Sequence, residues 1–222
     1  MLYRLPDVLS ADELAKLRAL TSNMRFQDGG ATAGTAARDV KQNLQAVEQQ
    51  PNLDSARKLV MSALTRCETF LDATLPLRSV PPLFSVYEPG MRYGAHTDNA
   101  LMGLPLVRTD IAVTVFISDP ADYDGGELVI DADGAAQAVK LPAGAAVAYS
   151  ATTVHRVEPV TRGKRRAAVT WVQSLVRDDA QREMLYDLQL ALRAMHASAP
   201  DARETLLLSK ARSNLLRMWS EP

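Results

Sequence analysis

The sequence contains little cysteine and little histidine, and both shortages limit its chemistry. Cys67 is the single cysteine in 222 residues, so the chain cannot form an internal disulfide. The histidines number three, namely His96, His155 and His196. Any metal site or acid–base step that uses an imidazole must therefore draw on these three residues.

Long apolar runs and an excess of charge of one sign are also missing. No run approaches the roughly 20 apolar residues that cross a bilayer, and the first residues lack the layout of a secretory signal. The 25 basic and 26 acidic residues give a net charge of −1, which provides no global attraction to nucleic acid. Together with the lone cysteine, these absences predict a cytoplasmic protein.

Changes in apolar spacing divide the chain into three segments. Residues 1–79 carry apolar side chains at helical spacing, residues 80–177 carry short β-rich runs between turn residues, and residues 178–222 return to helical spacing. Many short strands without intervening helices predict an antiparallel sandwich, barrel or jelly roll. We expect N-terminal helices packed on this β core and a helical C-terminal appendage. The runs that predict strands are 83–87, 111–117, 127–130, 145–149 and 166–172.

Three patterns predict helices within the N-terminal segment. The sequence from Ser10 to Glu13 has the form of a capping box, and two apolar stripes follow further along the chain. Residues 28–35 are rich in Gly, Thr and Ala and predict a loop. Cys67 belongs to the second stripe, so we expect a small buried side chain rather than a nucleophile. The stripes are Val40, Leu44 and Val47, and Val60, Leu64, Cys67 and Leu71.

A candidate metal site comes from two of the histidines. In an extended segment, residues two apart point to the same face, so His96 and Asp98 can converge on one point. Alone, this triplet would equally fit a hydrogen-bonded surface pair. His155 follows 59 positions later, after an apolar run, and changes that balance. Two histidines and one carboxylate form the facial triad that suits non-haem Fe(II) and leaves coordination positions open.

A candidate anion-binding residue lies shortly after His155. Arg165 is expected on a strand of the β core, where a buried guanidinium is costly unless it meets an anion. Its planar fork suits two-pronged binding of a carboxylate. The neighbouring Arg162, Lys164 and Arg166 are interpreted as solvated charges at the strand end.

Two other features receive structural interpretations. His196 follows a late helical stripe and is expected to be solvated at a helix end. Gly125 and Gly126 precede a strand rather than a helix, so they are interpreted as a backbone requirement and not as a phosphate cradle.

These residues and their surroundings resemble a known family. Residues 87–98 match the pattern Tyr-x-x-Gly-x-x-Tyr-x-x-His-x-Asp of prolyl-4-hydroxylase-type Fe(II)/2-oxoglutarate dioxygenases. Residues 125–128 match the Gly-Gly-Glu-Leu turn of that superfamily, and residues 155–165 match its distal segment. Within the superfamily the chain is most similar to the bacterial PKHD-type hydroxylases, although it has Lys-Gln-Asn at 41–43 where the family usually has Lys-Asn-Asn. The narrower match rests on residues 28–34, 41–43, 171–174 and 214–219.

The resemblance implies a fold, an activity and a set of site residues. The fold would be α+β, with a double-stranded β-helix (jelly-roll) core. His96, Asp98 and His155 would be the Fe(II) ligands and catalytic residues. Arg165 would bind the distal carboxylate of 2-oxoglutarate, and Tyr87 would help to bind the same cosubstrate. Dioxygen would be the second cosubstrate, succinate and carbon dioxide the coproducts, and L-ascorbate a candidate cofactor.

The prime substrate and two alternative functions stay open. The hydroxylated C–H bond would belong either to a peptidyl side chain or to a small metabolite. A nucleic-acid demethylase of the same superfamily is an alternative, although those enzymes commonly carry an arginine six residues after the cosubstrate arginine, where this chain has Trp171. The other alternative is a cupin-like metal-binding or sensing module without turnover. The late helices make a homodimer plausible, a membrane partner is not expected, and nucleic acid is disfavoured by the neutral charge.

Overall fold

The computed structural model describes residues 1–32, 40–132 and 134–221. Within them short strands alternate with helices up to residue 79, mainly strands follow up to residue 174, and two helices complete the described part. The helices are α1 Ala11–Ser22, α2 Leu53–Arg66, α3 Glu68–Thr74, α4 Asp179–Ser198 and α5 Arg203–Trp219. The strands are β1 Leu2–Leu5, β2 Phe26–Asp28, β3 Lys41–Gln42, β4 Leu44–Ala46, β5 Pro76–Ser79, β6 Leu83–Tyr87, β7 Arg92–His96, β8 Leu101–Met102, β9 Val107–Arg108, β10 Ile111–Phe116, β11 Tyr123–Gly125, β12 Leu128–Ala132, β13 Ala135–Val139, β14 Ala146–Ser150, β15 His155–Val157, β16 Val160–Gly163 and β17 Arg165–Ser174.

Two antiparallel sheets form the core. The major sheet has the order β1-β14-β10-β17-β6-β4-β2, with β5 paired to the end of β17. The minor sheet has the order β13-β12-β15-β7-β3. Strands that are distant in sequence are neighbours in both sheets, which is the arrangement of a jelly roll. The predicted α+β fold with a double-stranded β-helix core is therefore confirmed.

The central strand β10 shows why the core forms where it does. All six of its residues are buried, because both faces of the major sheet are covered. Ile111, Val113 and Val115 belong to one apolar cluster, which includes α1 and α2 residues. Ala112 and Phe116 belong to a second cluster, which lies between the two sheets. The helices therefore cover the outer face of the major sheet, and the inner face is left to form the pocket described below.

The C-terminal helices pack on the rest of the chain through a smaller apolar cluster. Leu185 of α4 is buried with Leu75 and Val176, and Trp219 at the end of α5 packs against them. The side chain of Arg182 is fully buried and donates hydrogen bonds to the carbonyl oxygens of Val176 and Arg177. In this way α4 is attached to the segment that leaves β17. None of the helices in the described ranges has the length and apolar character needed to cross a membrane.

One helix prediction is wrong. Leu44 lies in the short strand β4, Val47 follows that strand, and Val40 lies in a 3-10 turn directly before β3, so no α-helix carries the three residues. Pairing across the sheets decides this conformation, because Lys41 pairs with Tyr93 of β7 and Leu44 pairs with Val86 of β6. The true alternation of buried and exposed residues runs through polar side chains, so an apolar count could not detect it.

The predicted capping box is confirmed, whereas the predicted burial of Cys67 is only partial. The capping box at α1 is present in both directions, from Glu13 N–H to Ser10 Oγ and from Ser10 N–H to Glu13 Oε2. The stripe through Cys67 belongs to two helices, since α2 ends at Arg66 and Cys67 links it to α3. Cys67 is only partly buried, against the cluster that includes α1 and α2. In the predicted loop 28–35, a single 3-10 turn covers Gly29–Thr32, and residues 33–35 lie outside the described part.

Candidate active site

Three side chains that could ligate a metal converge at the inner face of the minor sheet. His96 ends β7, His155 begins β15, and these two residues are directly paired across the strands. Asp98 lies two residues beyond the end of β7, so it returns to the side of His96. His155 Nε2 is 3.8 Å from Asp98 Oδ2, and one ligand atom from each of the three residues lies within 4.8 Å of the others. The sequence-predicted trio is thus brought together.

Both imidazole rings are oriented by the backbone. Nδ1 of His96 is 2.8 Å from the carbonyl oxygen of Gly94, and Nδ1 of His155 is 3.0 Å from that of Thr153. A carbonyl only accepts, so each Nδ1 carries the proton and donates it, and each Nε2 keeps its lone pair for a ligand. Burial, reinforced by the nearby His155, lowers the pKa of His96 to about 4, so this ring is neutral at physiological pH.

Asp98 adds a carboxylate to the two imidazoles. Burial raises the pKa of its carboxyl, while the His155 ring and then the Trp171 indole lower it. Its Oδ2 atom is buried and has no hydrogen-bond partner among the described residues. A buried carboxylate oxygen that faces two imidazole lone pairs is expensive unless it coordinates a metal. Two imidazoles and one carboxylate fit a non-haem ferrous ion.

Two tyrosines that the sequence reading did not assign fix the histidine rings. The ring of Tyr93 stacks on His96 with 3.5 Å between centroids, and Tyr149 meets His155 edge-on at 5.1 Å. Tyr93 lies three positions before His96 on the same strand, whereas Tyr149 comes from β14 of the opposite sheet. Such contacts restrict ring rotation and so help to fix the orientation of the two imidazoles.

Arg165 lies buried in the same pocket. It is the first residue of β17, is 2% exposed, and pairs with Tyr87 of β6. Its guanidinium carbon lies 5.2 Å from the Tyr87 ring centroid and 5.6 Å from that of Phe116. No carboxylate of the described residues forms an ion pair with it, and its Nε has no hydrogen-bond partner there. A buried guanidinium in this situation is suited to an anionic ligand.

The charged neighbours of Arg165 are solvated, as the sequence predicted. Arg162 has a side chain that is 59% exposed and pairs with Asp124 at 2.7 Å. Lys164 is also exposed and pairs with Glu88 at 2.7 Å. Arg165 therefore differs from its neighbours in direction and burial, not in local charge density.

Gly126 makes the burial of Arg165 possible. Its φ is +66°, and a Cβ there would lie 3.1 Å from Cδ of Arg165 and 2.9 Å from Cγ2 of Val160. Any side chain at this position would therefore have to displace the arginine stem or the neighbouring strand. The predicted backbone role is confirmed, and the structure adds that the missing side chain leaves room for Arg165.

Comparison with known proteins shows to which family the chain belongs. The model of the 2OG-Fe(II) oxygenase superfamily matches residues 82–173, and the model of the PKHD-type hydroxylase C-terminal domain matches residues 179–221, which cover α4 and α5. A PKHD-type hydroxylase of Paraburkholderia xenovorans is 45% identical over 227 residues, with 100% of both chains covered. A PKHD-type hydroxylase of a Synechococcus strain is 47% identical over 223 residues, again with 100% coverage of both. The chain belongs to the PKHD-type hydroxylase family.

As a PKHD-type hydroxylase, the chain is an Fe(II)- and 2-oxoglutarate-dependent dioxygenase. It uses ferrous iron, 2-oxoglutarate and dioxygen to hydroxylate a C–H bond, and it forms succinate and carbon dioxide as coproducts.

Solved structures confirm the fold of this PKHD-type hydroxylase. A Pseudomonas putida prolyl-4-hydroxylase superposes with a TM-score of 0.52 at 20% identity, covering 78% of this chain and 92% of that one. A Trichoplax adhaerens prolyl hydroxylase in complex with a hypoxia inducible factor peptide superposes with a TM-score of 0.56 at 14% identity, covering 83% and 86%.

The sequence analysis did not predict the residues that form one wall of the pocket in this PKHD-type hydroxylase. The pocket has a volume of about 810 Å³ including its open mouth, and Lys41, Asn43 and Gln45 line it together with the metal trio and Arg165. Burial lowers the pKa of Lys41 to about 8, against the attraction of Asp98 and Asp28. The departure from the family pattern, Gln42, is exposed on the opposite side of the strand and leaves this wall unchanged.

The two remaining candidates, His196 and Tyr87, lie in different surroundings. His196 is exposed in the last turn of α4, outside the pocket. Tyr87 is 4% exposed and lines the pocket beside Arg165. Burial raises the pKa of its hydroxyl, while the Arg165 charge and a hydrogen bond from the Asn43 side chain lower it. Tyr87 is therefore a neutral hydroxyl that can donate to a ligand.

Proposed function

We propose that His96, Asp98 and His155 hold the ferrous ion of this hydroxylase and act as its catalytic centre. The observation that carries the proposal is the unpartnered Oδ2 of Asp98 facing two histidines whose Nε2 lone pairs are left available. Ferrous iron bound there would supply the activation of dioxygen that couples 2-oxoglutarate decarboxylation to hydroxylation of a C–H bond. The backbone carbonyls of Gly94 and Thr153 fix the direction of the two imidazole rings, and each Nε2 is left with a lone pair for the metal.

We propose that Arg165 and Tyr87 bind 2-oxoglutarate. Arg165 is the buried cation of the pocket that forms no ion pair with a described residue, and its fork can donate two hydrogen bonds to a distal carboxylate. Tyr87 lies across the strand pair from it and can donate a third hydrogen bond. Apolar neighbours on the pocket wall, Leu83, Leu128 and Val169, limit water around the pair.

Metal binding by a histidine variant tests the first proposal. His155→Ala should abolish stoichiometric Mn(II) or Fe(II) binding and succinate formation, because it removes one of three protein ligands. His196→Ala is the matched control, since it removes an exposed imidazole outside the pocket. Stoichiometric metal in His155→Ala, or an equal loss in His196→Ala, would contradict the assigned trio.

The basic run at 156–166 supports a prime substrate other than nucleic acid. Three of its cations are paired with acidic side chains, so the run presents little net positive charge. Arg156 pairs with Glu158, Arg162 with Asp124, and Lys164 with Glu88, each at 2.7 Å. A phosphate backbone would have to compete with these carboxylates. The function supported best is hydroxylation of a peptidyl side chain or a small metabolite.

We further propose a cytoplasmic enzyme that assembles as a homodimer through its C-terminal appendage. A lone, partly buried cysteine is consistent with a reducing compartment. Apolar side chains at Leu206, Leu207 and Met218 of α5 are 69%, 47% and 73% exposed and could be covered by a second copy. Light scattering at micromolar concentration should then give twice the chain mass of 24.2 kDa, and a monomer would contradict it.

A further inference from the structure

We propose that Tyr123 is a positioning residue of the cosubstrate site and that its hydroxyl oxygen accepts a hydrogen bond from Nε of Arg165. This bond holds the guanidinium with its two terminal nitrogens free to bind the distal carboxylate of 2-oxoglutarate. The inference rests on the proposed function, because it takes the binding of 2-oxoglutarate by Arg165 as given. Tyr123 is not among the described residues that line the pocket, so it acts through Arg165.

The backbone brings Tyr123 beside the start of β17. Tyr123 begins β11 and pairs with Gly163 of β16, two residues before Arg165. A Cβ at Gly163 would lie 3.0 Å from Cα of Tyr123, so the strands approach closely where this side chain is missing. A Cβ at Gly126 would lie 3.1 Å from Cε2 of Tyr123 and 3.1 Å from Cδ of Arg165. The two side chains therefore border the same small space.

Each side chain of this pair has a buried polar atom without another partner. Tyr123 and Arg165 are 0% and 2% exposed, and neither Oη of the tyrosine nor Nε of the arginine has a hydrogen-bond partner of ordinary geometry among the described residues. Burial raises the pKa of the Tyr123 hydroxyl, whereas Arg165 lowers it by its charge and by a direct polar contact. Leaving a buried donor or acceptor unsatisfied costs stability. A small rotation of either side chain would satisfy both atoms with one hydrogen bond.

Lys140 holds the tyrosine ring in place. Its Nζ lies 4.1 Å from the ring centroid of Tyr123 and donates hydrogen bonds to the carbonyl oxygens of Tyr123 and Gly125, at 2.9 and 3.2 Å. An arginine side chain has many rotamers, and ordering it when a ligand binds costs affinity. A fixed tyrosine that holds Nε therefore lets Arg165 bind the carboxylate without first having to be ordered.

Two 2-oxo acids test the inference on the Mn(II)-loaded protein. 2-Oxobutyrate has the same 2-oxo acid group as 2-oxoglutarate but no distal carboxylate. Thermal-shift titrations should show that Tyr123→Phe weakens 2-oxoglutarate about two- to tenfold, which corresponds to the cost of ordering one side chain on binding. The affinities for 2-oxobutyrate and for Mn(II) should stay unchanged, because neither ligand contacts Arg165. A merely structural role of Tyr123 would weaken all three ligands together.

A double-mutant cycle assigns the effect to Arg165. In the Arg165→Met background, Tyr123→Phe should cause no further loss of 2-oxoglutarate affinity, because no guanidinium is left to position. Without ligand, Tyr123→Phe should lower the unfolding temperature of the parent protein but not that of Arg165→Met. Tyr186→Phe is the matched control, because it removes a phenol hydroxyl on α4 outside the pocket and should leave 2-oxoglutarate affinity unchanged.

Several outcomes would overturn the inference. These are an unchanged 2-oxoglutarate affinity in Tyr123→Phe, an equal loss of 2-oxobutyrate affinity, and an additive loss in the double variant. An unfolding temperature that stays the same or rises in Tyr123→Phe would also overturn it, since the hydroxyl would then be buried without a partner.

The same titrations separate this inference from the proposed function. If Arg165→Met binds 2-oxoglutarate as tightly as the parent protein, the proposed cosubstrate site is wrong. If Arg165→Met weakens 2-oxoglutarate and Tyr123→Phe does not, only the role of Tyr123 is wrong.

Discussion

Replacement of Arg165 by methionine should separate ligand binding from folding stability. The side chain is 2% exposed and forms no ion pair with a described residue, so the protein without 2-oxoglutarate bears the cost of burying its charge. Replacing a buried ion by an apolar side chain of similar length removes that cost. We therefore expect Arg165→Met to unfold at the same temperature as the parent protein or at a higher one in the absence of 2-oxoglutarate.

The binding of 2-oxoglutarate should change in the opposite direction. Losing a charge-assisted hydrogen bond costs about 1.5–3 kcal/mol, which is roughly a ten- to hundredfold loss of affinity. Two such bonds from one guanidinium, and a carboxylate left desolvated beside Tyr87, place the expected loss at the upper end of that range or beyond it. Arg165→Lys should recover part of the affinity, because it keeps the charge but not the two-pronged geometry.

A thermal-shift titration measures both effects on one sample. The rise in unfolding temperature with 2-oxoglutarate reports its dissociation constant, since a ligand stabilises the folded state by RT ln(1 + [L]/Kd). Arg162→Met is the matched control, because its guanidinium is exposed and already paired with Asp124. Bound Mn(II) is measured in each variant and should not change. Equal losses of 2-oxoglutarate affinity in Arg165→Met and Arg162→Met would show that the positive charge of the whole region, rather than a direct contact with Arg165, attracts the ligand. A large drop in the stability of Arg165→Met without ligand would show that Arg165 stabilises the folded state.

Two further predictions concern the fold around the site. Gly126→Ala should weaken 2-oxoglutarate binding and destabilise the protein by about 1–3 kcal/mol, because its Cβ would crowd Arg165. Gly134→Ala has a similar φ of +76° but open space around it, so it should leave cosubstrate binding unchanged; equal binding losses would contradict the crowding. Glu13→Gln should lower unfolding stability at pH 7 by about 0.5–1 kcal/mol, because the amide keeps the capping-box bond to the Ser10 N–H but loses the negative charge at the N-terminus of α1 and beside Arg66. The hydrogen bond from the Ser10 backbone N–H, and then the Arg66 side chain, hold the pKa of the Glu13 carboxyl below its usual range, so this stability is present at neutral pH and is lost as the pH falls through that pKa. A difference in denaturant unfolding that persists at pH 2 would contradict this.

His96, Asp98 and His155 could be selected as candidate metal ligands because each carries a local signal in the sequence. A histidine and an aspartate two apart need only an extended strand to share a face, and His155 follows a run of apolar residues that reads as a buried strand. What the sequence could not supply is that His96 and His155 would be direct neighbours across β7 and β15. That pairing is a long-range contact, and no periodicity within either strand encodes it.

The opposite wall of the pocket shows why the sequence analysis did not predict the other residues that line it. Lys41, Asn43 and Gln45 alternate with outward residues as a strand requires, yet all three inward side chains are polar. Apolar periodicity instead selects the outward or intermediate residues Val40, Leu44 and Val47, and it therefore predicts a helix where the structure has strands. Where a strand faces a ligand rather than an apolar core, its inward side chains match the polarity of the ligand. The failure of the apolar pattern at residues 41–45 is consequently itself a sign that this segment faces a binding pocket.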